Sequence, residues 1–440
     1  MGKVAVIGFG ESGRAAALLL NHLGYTVTLW DSNQTPALVA RATEIQTLGI
    51  TVRLGENFCP TPGLVRVVVS PGVPWDAPFL QQSRALGLVV QGEVDLAWDV
   101  LGQVPWVGVT GTNGKTTTTM LLAQIWARAG WVAPACGNIG RPISDVALGP
   151  LPDWVLAELS SFQIEQSPNI RPKIALWTTF TPDHLNRHGT IESYAAIKAS
   201  LLDQAEQVVL NGDDPYLRTL LPRWPQAIWT SLHDPTAPIH VREGQIWVQE
   251  ERVLAVAEIQ IPGWHNVQNI LMAVACAHLA GIAVSHIAQA VRGFQGVPHR
   301  LEKITDRAGV AFINDSKATN YEAAATGLTA MTAPVILLAG GQAKQGNPQL
   351  WLQQIHRATL GVILYGQAAP VFAELLRQSG YQAFTICQDL AEAVPLAWTW
   401  AKNKGAATVL LSPACASYDQ FANFEARGNC FRQLCHQLGT

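Results

Sequence analysis

The stretch VTGTNGKTTTT, residues 109–119, begins inside the apolar run WVGVT and opens the segment KTTTTMLLAQIWARAG. A buried strand, a glycine turn, Lys-Thr and a helix ending at Gly130 make one strand–loop–helix unit. That arrangement suits phosphate: loop amides and the helix N-terminus face oxyanions, Lys115 neutralises charge, and the Thr116 hydroxyl reaches a magnesium ion. Gly111 and Gly114 are present, but Val109 stands where the usual phosphate-loop spacing puts its first glycine. The loop alone leaves two readings open, a nucleotide site of another kind and a glycine-rich turn. Four threonines are poor helix openers, which weighs against a turn with no other purpose.

Outward from the loop, DWVLAELSSFQ reads as a strand delivering Glu158 at its end, and PKIALWTTFTPDHLNRH as a strand followed by Asp183 and His184. A carboxylate at a buried strand's tip beside a phosphate loop is where a magnesium ligand is needed. A lone Glu or His is more often a cap or a surface group, and recurrence at two strand ends shifts the balance to function. The helix IESYAAIKASLLDQA carries Lys198, which by itself reads as solvated surface, and REGQIWVQEERVLAV alternates like an antiparallel hairpin.

The amino-terminal segment pairs a strand, Val4 to Ile7, with GFGESG and a second strand ending at Asp31. Gly8, Gly10 and Gly13 have dinucleotide-fingerprint spacing, with an acid about 20 positions on, which taken alone reads as NAD binding. Any nucleotide diphosphate satisfies the same physics. Another strand, VRVVV, ends in a turn at Ser70, Pro71 and Gly72. After GVPHRLE, strands and helices alternate again, implying a mostly parallel sheet, with the polar clusters NDSKATN and SPACASYDQFANFEARG directly after strands.

At 440 residues, 48% apolar and 14% charged, the chain has globular composition and length for about three domains. With 29 basic and 32 acidic residues and no basic run, a nucleic-acid surface has little support. No signal peptide or membrane-length apolar run is evident, so a cytoplasmic protein without membrane association is expected. Seven scattered cysteines read as reduced thiols.

TGTNGKTT, GWHNVQN, PHRLE and NDSKATN, in this order, resemble the ATP-dependent Mur ligases of bacterial cell-wall synthesis, and the resemblance covers essentially the whole chain. ELSSFQ and LLSPACASYDQFANFEARG look like the branch of that family that adds D-glutamate. The displaced glycine is normal in this family. The resemblance implies an α/β chain of three domains: 1–94, Rossmann-like and binding the UDP-substrate; 95–297, a central P-loop-type ATPase with a mostly parallel sheet; and 298–440, Rossmann-like, binding D-glutamate and part of ATP. It further implies a monomer acting only on small molecules, UDP-N-acetylmuramoyl-L-alanine, D-glutamate and ATP, through an acyl phosphate.

The same resemblance distributes roles. Gly111, Thr112, Asn113, Gly114, Lys115, Thr116, Thr117, Asn269, Arg300 and Asp315 would bind ATP. Thr116 and Glu158 would hold one Mg²⁺, and His184 with a carbamylated Lys198 a second. Lys115, Asn138, Glu158, His184 and Lys198 would form the catalytic set. Gly13, Asp31, Ser32, Ser70 and Gly72, with Asn138 and His184, would bind the UDP-substrate. Lys317, Thr319, Lys344, Ser417 and Phe424 would bind D-glutamate. Thr179 and Asn186 stand where the family usually has Asn and Asp, and Ala343 where an acid is common. Competing readings are another amino-acid ligase of the superfamily, although no Asn-Pro-Arg acceptor motif is present, and an NAD-dependent dehydrogenase, which leaves two segments without a purpose.

Overall fold

Alternating strands and helices feed three sheets in the computed structural model, which describes residues 2–331, 334–343 and 346–438. The first sheet has β1 (Lys3–Ile7), β2 (Thr26–Asp31), β3 (Thr51–Leu54), β4 (Leu64–Val69) and β5 (Val89–Gly92). All are parallel, in the order β3-β2-β1-β4-β5. The order reverses between β1 and β4, and ligands of such sheets sit beyond the carboxyl ends at that point.

The second sheet comprises β6 (Trp106–Thr110), β7 (Ala135–Gly137), β8 (Val155–Glu158), β9 (Ile174–Trp177), β10 (Gln207–Asn211), β11 (Ile228–Ser231), β12 (Ile239–Arg242), β13 (Gln245–Val248) and β14 (Glu251–Ala255). Its order is β14-β13-β12-β11-β10-β9-β6-β8-β7, and only the β12-β13-β14 extension is antiparallel. β6, β8 and β9 are buried along their whole length, which is why they read as unbroken apolar runs rather than alternating ones. The third sheet holds β15 (Glu302–Arg307), β16 (Val310–Asn314), β17 (Val335–Gly340), β18 (Thr359–Tyr365), β19 (Phe384–Ile386) and β20 (Thr408–Leu411). Its order is β15-β16-β20-β17-β18-β19, with only β15 antiparallel. The expected α/β architecture with mostly parallel sheets is therefore present.

The chain divides into two compact units: one reaches Glu258 and includes Val267–Arg292, the other joins Ile259–Asn266 to the segment from Gly293 onward. Within the first unit, the helix Glu93–Leu101 links sheet one to sheet two through buried acids. Glu93 Oε1 accepts from Ser144 N at 2.6 Å, and the Asp95 carboxylate accepts from Asn169 N at 3.2 Å and Nδ2 at 2.8 Å. Burial pushes Glu93 up to about 7 and Asp95 up to about 6. Gly92 N donates to Gln166 O at 2.8 Å, and the Gln166 carboxamide donates to Val73 O at 2.9 Å, fastening the turn after β4 to the second sheet. Among the described residues no helix is long and apolar enough to cross a membrane. All seven cysteines are free thiols, as the scattered spacing implied.

Candidate active site

β6 ends at Thr110, and the chain turns through Gly111–Gly114 into the helix Lys115–Arg128. Val109 is a fully buried strand residue paired with Glu158 on one side and Leu176 on the other. The backbone is still regular there, so no glycine is needed. The turn proper requires two: Gly111 has φ 148° and Gly114 φ 86°. A Cβ on Gly111 would stand 2.0 Å from Thr178 Oγ1, and one on Gly114 would stand 2.3 Å from Asn269 Oδ1. Asn269 thus packs directly on the loop.

Thr178 and Thr179, just past β9, hold the turn from beneath. Thr178 Oγ1 donates to Asn113 O at 2.5 Å, Thr112 N donates to Thr179 O at 2.8 Å, and Asn113 N donates to Thr179 Oγ1 at 2.9 Å. The loop amides of Thr112 and Asn113, expected to face a ligand, are instead taken by Thr179. It also gives Thr179, a departure from the family pattern, a structural task. Gly114 offers no side-chain cap, so first-turn amides of the helix are left for an anion. Thr116 and Thr117 are buried within that turn.

Lys115 Nζ donates to Gly111 O at 2.8 Å and Thr112 O at 3.0 Å. Lys198 Nζ donates to the same Gly111 O at 3.1 Å and to Thr110 Oγ1 at 3.3 Å. Two lysine side chains therefore converge on one carbonyl. Lys198 is only 1% exposed, which overturns its reading as solvated surface. Helix Ile191–Asp203 turns it inward, where it also lies 4.8 Å from the Tyr194 ring. Burial, then the charge of Lys115, hold its pKa well below the usual lysine value, with Asp183 acting in the opposite sense.

Glu158, at the tip of β8, is buried. Its Oε1 accepts from Asn138 Nδ2 at 3.0 Å, its main-chain oxygen accepts from Asn138 N at 2.8 Å, and its Oε2 has no hydrogen-bond partner. Gly137 (φ 94°) permits that approach, since a Cβ there would lie 2.5 Å from Glu158 O. His184 adopts a left-handed φ of 53° at the start of the helix Leu185–His188, which also contains Asn186. Its half-exposed ring lies 3.4 Å from Asp183 Oδ2 and packs at 5.0 Å on Phe162. Among the described residues no three His, Cys, Asp or Glu side chains converge as a metal cluster.

Sequence reading passed over His188 and Ser161. His188 Nε2 lies 2.9 Å from Ser161 Oγ, and its ring stacks on Tyr194, giving that corner a buried polar brace. A second histidine four positions after the first was the available signal.

In the first sheet, the turns after β1, β2 and β4 surround a cavity of about 660 Å³. Asp31, Ser32, Ser70 and Gly72 line it, whereas Gly13 does not. Gly13 sits behind the wall, where a Cβ would be 1.8 Å from Gly8 O, so its glycine identity serves helix–strand packing. Asp31 is engaged by the backbone: Oδ2 accepts from Phe9 N and Oδ1 from Asn33 N, both at 2.8 Å.

In the second unit, Asp315 is buried after β16, accepts from Ser412 Oγ at 2.8 Å, and burial pushes it up to about 7. Leu301 N lies 3.4 Å from its other oxygen, and the Arg300 charge acts to lower its pKa. Lys317 Nζ lies 5.6 Å from the Phe424 ring, Thr319 N donates to Lys317 O, and Ser417 is buried. Lys344 lies outside the described residues; Ala343 beside it is exposed. Arg427, not singled out beforehand, is fully buried and gathers these turns. It donates to Ser316 Oγ at 2.9 Å, Ser316 O at 2.8 Å, Cys415 O at 3.0 Å and Ala416 O at 3.2 Å.

Residues 109–277 match the Mur ligase middle domain, and residues 2–92 match the Mur ligase MurD-like N-terminal domain. A UDP-N-acetylmuramoylalanine–D-glutamate ligase of Gloeobacter violaceus is 52% identical, covering 100% of both chains. The chain belongs to the Mur ligase family. A second Mur ligase of the same description, from Thermosynechococcus vestitus, is 50% identical over 100% of both chains. Among solved Mur ligase structures, UDP-N-acetylmuramate-alanine ligase of Thermotoga maritima aligns with a TM-score of 0.61 at 17% identity, covering 99% of each chain. MurF of Acinetobacter baumannii aligns at 0.58 and 16% identity, covering 98% of this chain and 93% of its own. At such identities the Mur ligase structures speak for the shared fold alone.

Proposed function

We propose that this chain joins D-glutamate to UDP-N-acetylmuramoyl-L-alanine in peptidoglycan precursor synthesis, consuming ATP, in the cytoplasm, as a monomer. The observation that carries the reading is the convergence of Lys115 and Lys198 on Gly111 O, beside Glu158, in a chain 52% identical over its full length to a ligase of that description. A carboxylate resists attack by an amine, whereas an acyl phosphate has a good leaving group. ATP therefore first phosphorylates the substrate carboxylate; the D-glutamate amine then attacks the acyl carbon, and phosphate departs. Both reactants are anionic, so positive charge must stand between them.

Lys115 and the first-turn amides would take the β- and γ-phosphates. Glu158, with its unpartnered buried Oε2, and Thr116 fit one magnesium ion, which is commonly held by few protein oxygens plus substrate phosphates. That ion would neutralise phosphate charge. His184 and Lys198 are assigned to a second. An ammonium cannot ligate a cation, but burial favours the neutral amine of Lys198, whose nitrogen can bond to the carbon of CO₂ and lose a proton to give a carbamate. Asn138 orients Glu158 and would touch the substrate. Asn269 would meet adenine, and Arg300 and Asp315 the rest of ATP. Lys317, Thr319, Ser417 and Phe424 would hold D-glutamate, with the cavity at Asp31, Ser32, Ser70 and Gly72 taking the uridine nucleotide. The three sheets would correspond to domains 1–94, 95–297 and 298–440.

An acceptor panel tests the reading. ADP release is expected to require UDP-N-acetylmuramoyl-L-alanine and D-glutamate together. Equally fast release with L-lysine or diaminopimelate in place of D-glutamate would overturn it.

A further inference from the structure

The cavity of the first sheet presents an electrostatic contradiction. Its lining contains three acids, Glu11, Asp31 and Glu56, and no lysine or arginine among the described residues. A nucleotide diphosphate brought there would meet like charge unless a cation just behind the wall reached in. Asp31 is committed to two backbone amides, and Glu56 accepts from Arg53 Nη1 at 3.1 Å. Glu11 is the exception. It opens the helix Glu11–His22, whose N-cap Gly10 provides no side-chain cap, and it attracts two guanidinium groups. Arg14 Nε lies 3.4 Å from Glu11 Oε2, while Arg14 Nη2 donates to Asp145 at 2.8 Å. Arg41 Nη2 lies 2.9 Å from Glu11 Oε1, an ion pair whose angle falls short of a hydrogen bond although the nitrogen is shielded from water. The Arg41 guanidinium rests 5.1 Å from the ring of Phe9, another lining residue.

We propose that Arg41 is the cation that recognises the diphosphate of the nucleotide in this cavity, leaving Glu11 for the ligand. This assignment rests on the uridine-nucleotide reading above. When Arg41 turns to the ligand, Glu11 keeps the Arg14 guanidinium, which it shares with Asp145. That movement also lets the Arg41 guanidinium exchange a poorly aligned ion pair for aligned donation to phosphate oxygens beside an uncapped helix N-terminus. Glu11 acts meanwhile as a tethered anion that competes with the ligand, so the arginine is held beside the acid-walled cavity without lining it.

Calorimetric titration of the full chain with UDP and with uridine tests this. The wild-type chain is expected to prefer UDP; Arg41→Gln is expected to lose about tenfold or more of its UDP affinity, with uridine affinity kept. Equal losses for both ligands, or none, would overturn the assignment. Glu11→Gln keeps Arg41 in place and removes its competitor, so UDP is expected to bind several-fold tighter; weaker UDP binding would overturn it independently. The UDP-to-uridine ratio requires no turnover. If the acceptor panel rejected D-glutamate while the ratio still collapsed in Arg41→Gln, the ligase reading would fall and the role of Arg41 would stand.

Discussion

Lys198 marks the limit of what a single residue discloses in sequence. An isolated lysine in an amphipathic helix belongs in water by default, and only the inward turn of the helix Ile191–Asp203 against β6 makes it a buried amine. Periodicity did not disclose that burial, and the role assigned to this lysine comes from family resemblance. Replacement by Met preserves volume and removes the amine, so ADP release is expected to fall by about 100-fold or more, as for loss of a metal ligand, with circular dichroism unchanged. Near-normal activity would exclude the carbamate. A companion measurement on the wild-type chain is activity in CO₂-depleted buffer, expected to drop and to recover when bicarbonate is added. Arg427 is the opposite case. Its burial is invisible from FEARG, because the carbonyls it collects come from turns about a hundred residues apart in sequence or next to its own helix.

Elements were far more legible than side-chain contacts. β6, β8 and β9 announced themselves by apolar runs, and Gly111 and Gly114 by their place before Lys-Thr. The clamp from Thr178 and Thr179 was not legible, since hydroxyl partners across two strands leave no periodic trace. Gly114→Ala should show how tightly the element is built. With φ 86° and Asn269 Oδ1 only 2.3 Å from the new Cβ, ATP turnover is expected to fall by about 100-fold, as small displacements of positioning groups do. A variant within a factor of two of wild type would contradict the geometry. The helix Glu93–Leu101 offers a second test, through pH. Glu93 rises from 4.5 to about 7 on folding, so the folded state binds the extra proton, and the stability this contributes is full below about 4.5 and lost as pH climbs through 7. Glu93→Gln should therefore flatten the decline in stability between pH 5 and pH 8 by an amount on the order of 3 kcal/mol, read from urea unfolding across that range. An unchanged slope would mean that Glu93 does not titrate in that window.

At the scale of the whole molecule, composition set the class correctly and could not set boundaries. The chain passes from the first sheet to the second through the helix Glu93–Leu101 rather than through a polar linker. Cysteine chemistry gives a global test of packing. Only Cys59 is exposed and Cys430 is intermediate, while Cys136, Cys276, Cys387, Cys415 and Cys435 are buried. A chromogenic disulfide reagent is expected to titrate one thiol rapidly in the native chain and all seven after denaturation. Several fast thiols in the native state would show that the sheets open readily. The tight turn after β6 has a practical meaning for redesign. Because Thr178 and Thr179 shape it from beyond the neighbouring strand, an engineer moving this phosphate cradle would have to carry those two positions along with the glycine-rich letters. The specification of the cradle is distributed over a pair of strands, and transplanting its eight-residue motif into a foreign scaffold would carry the lettering without the mould.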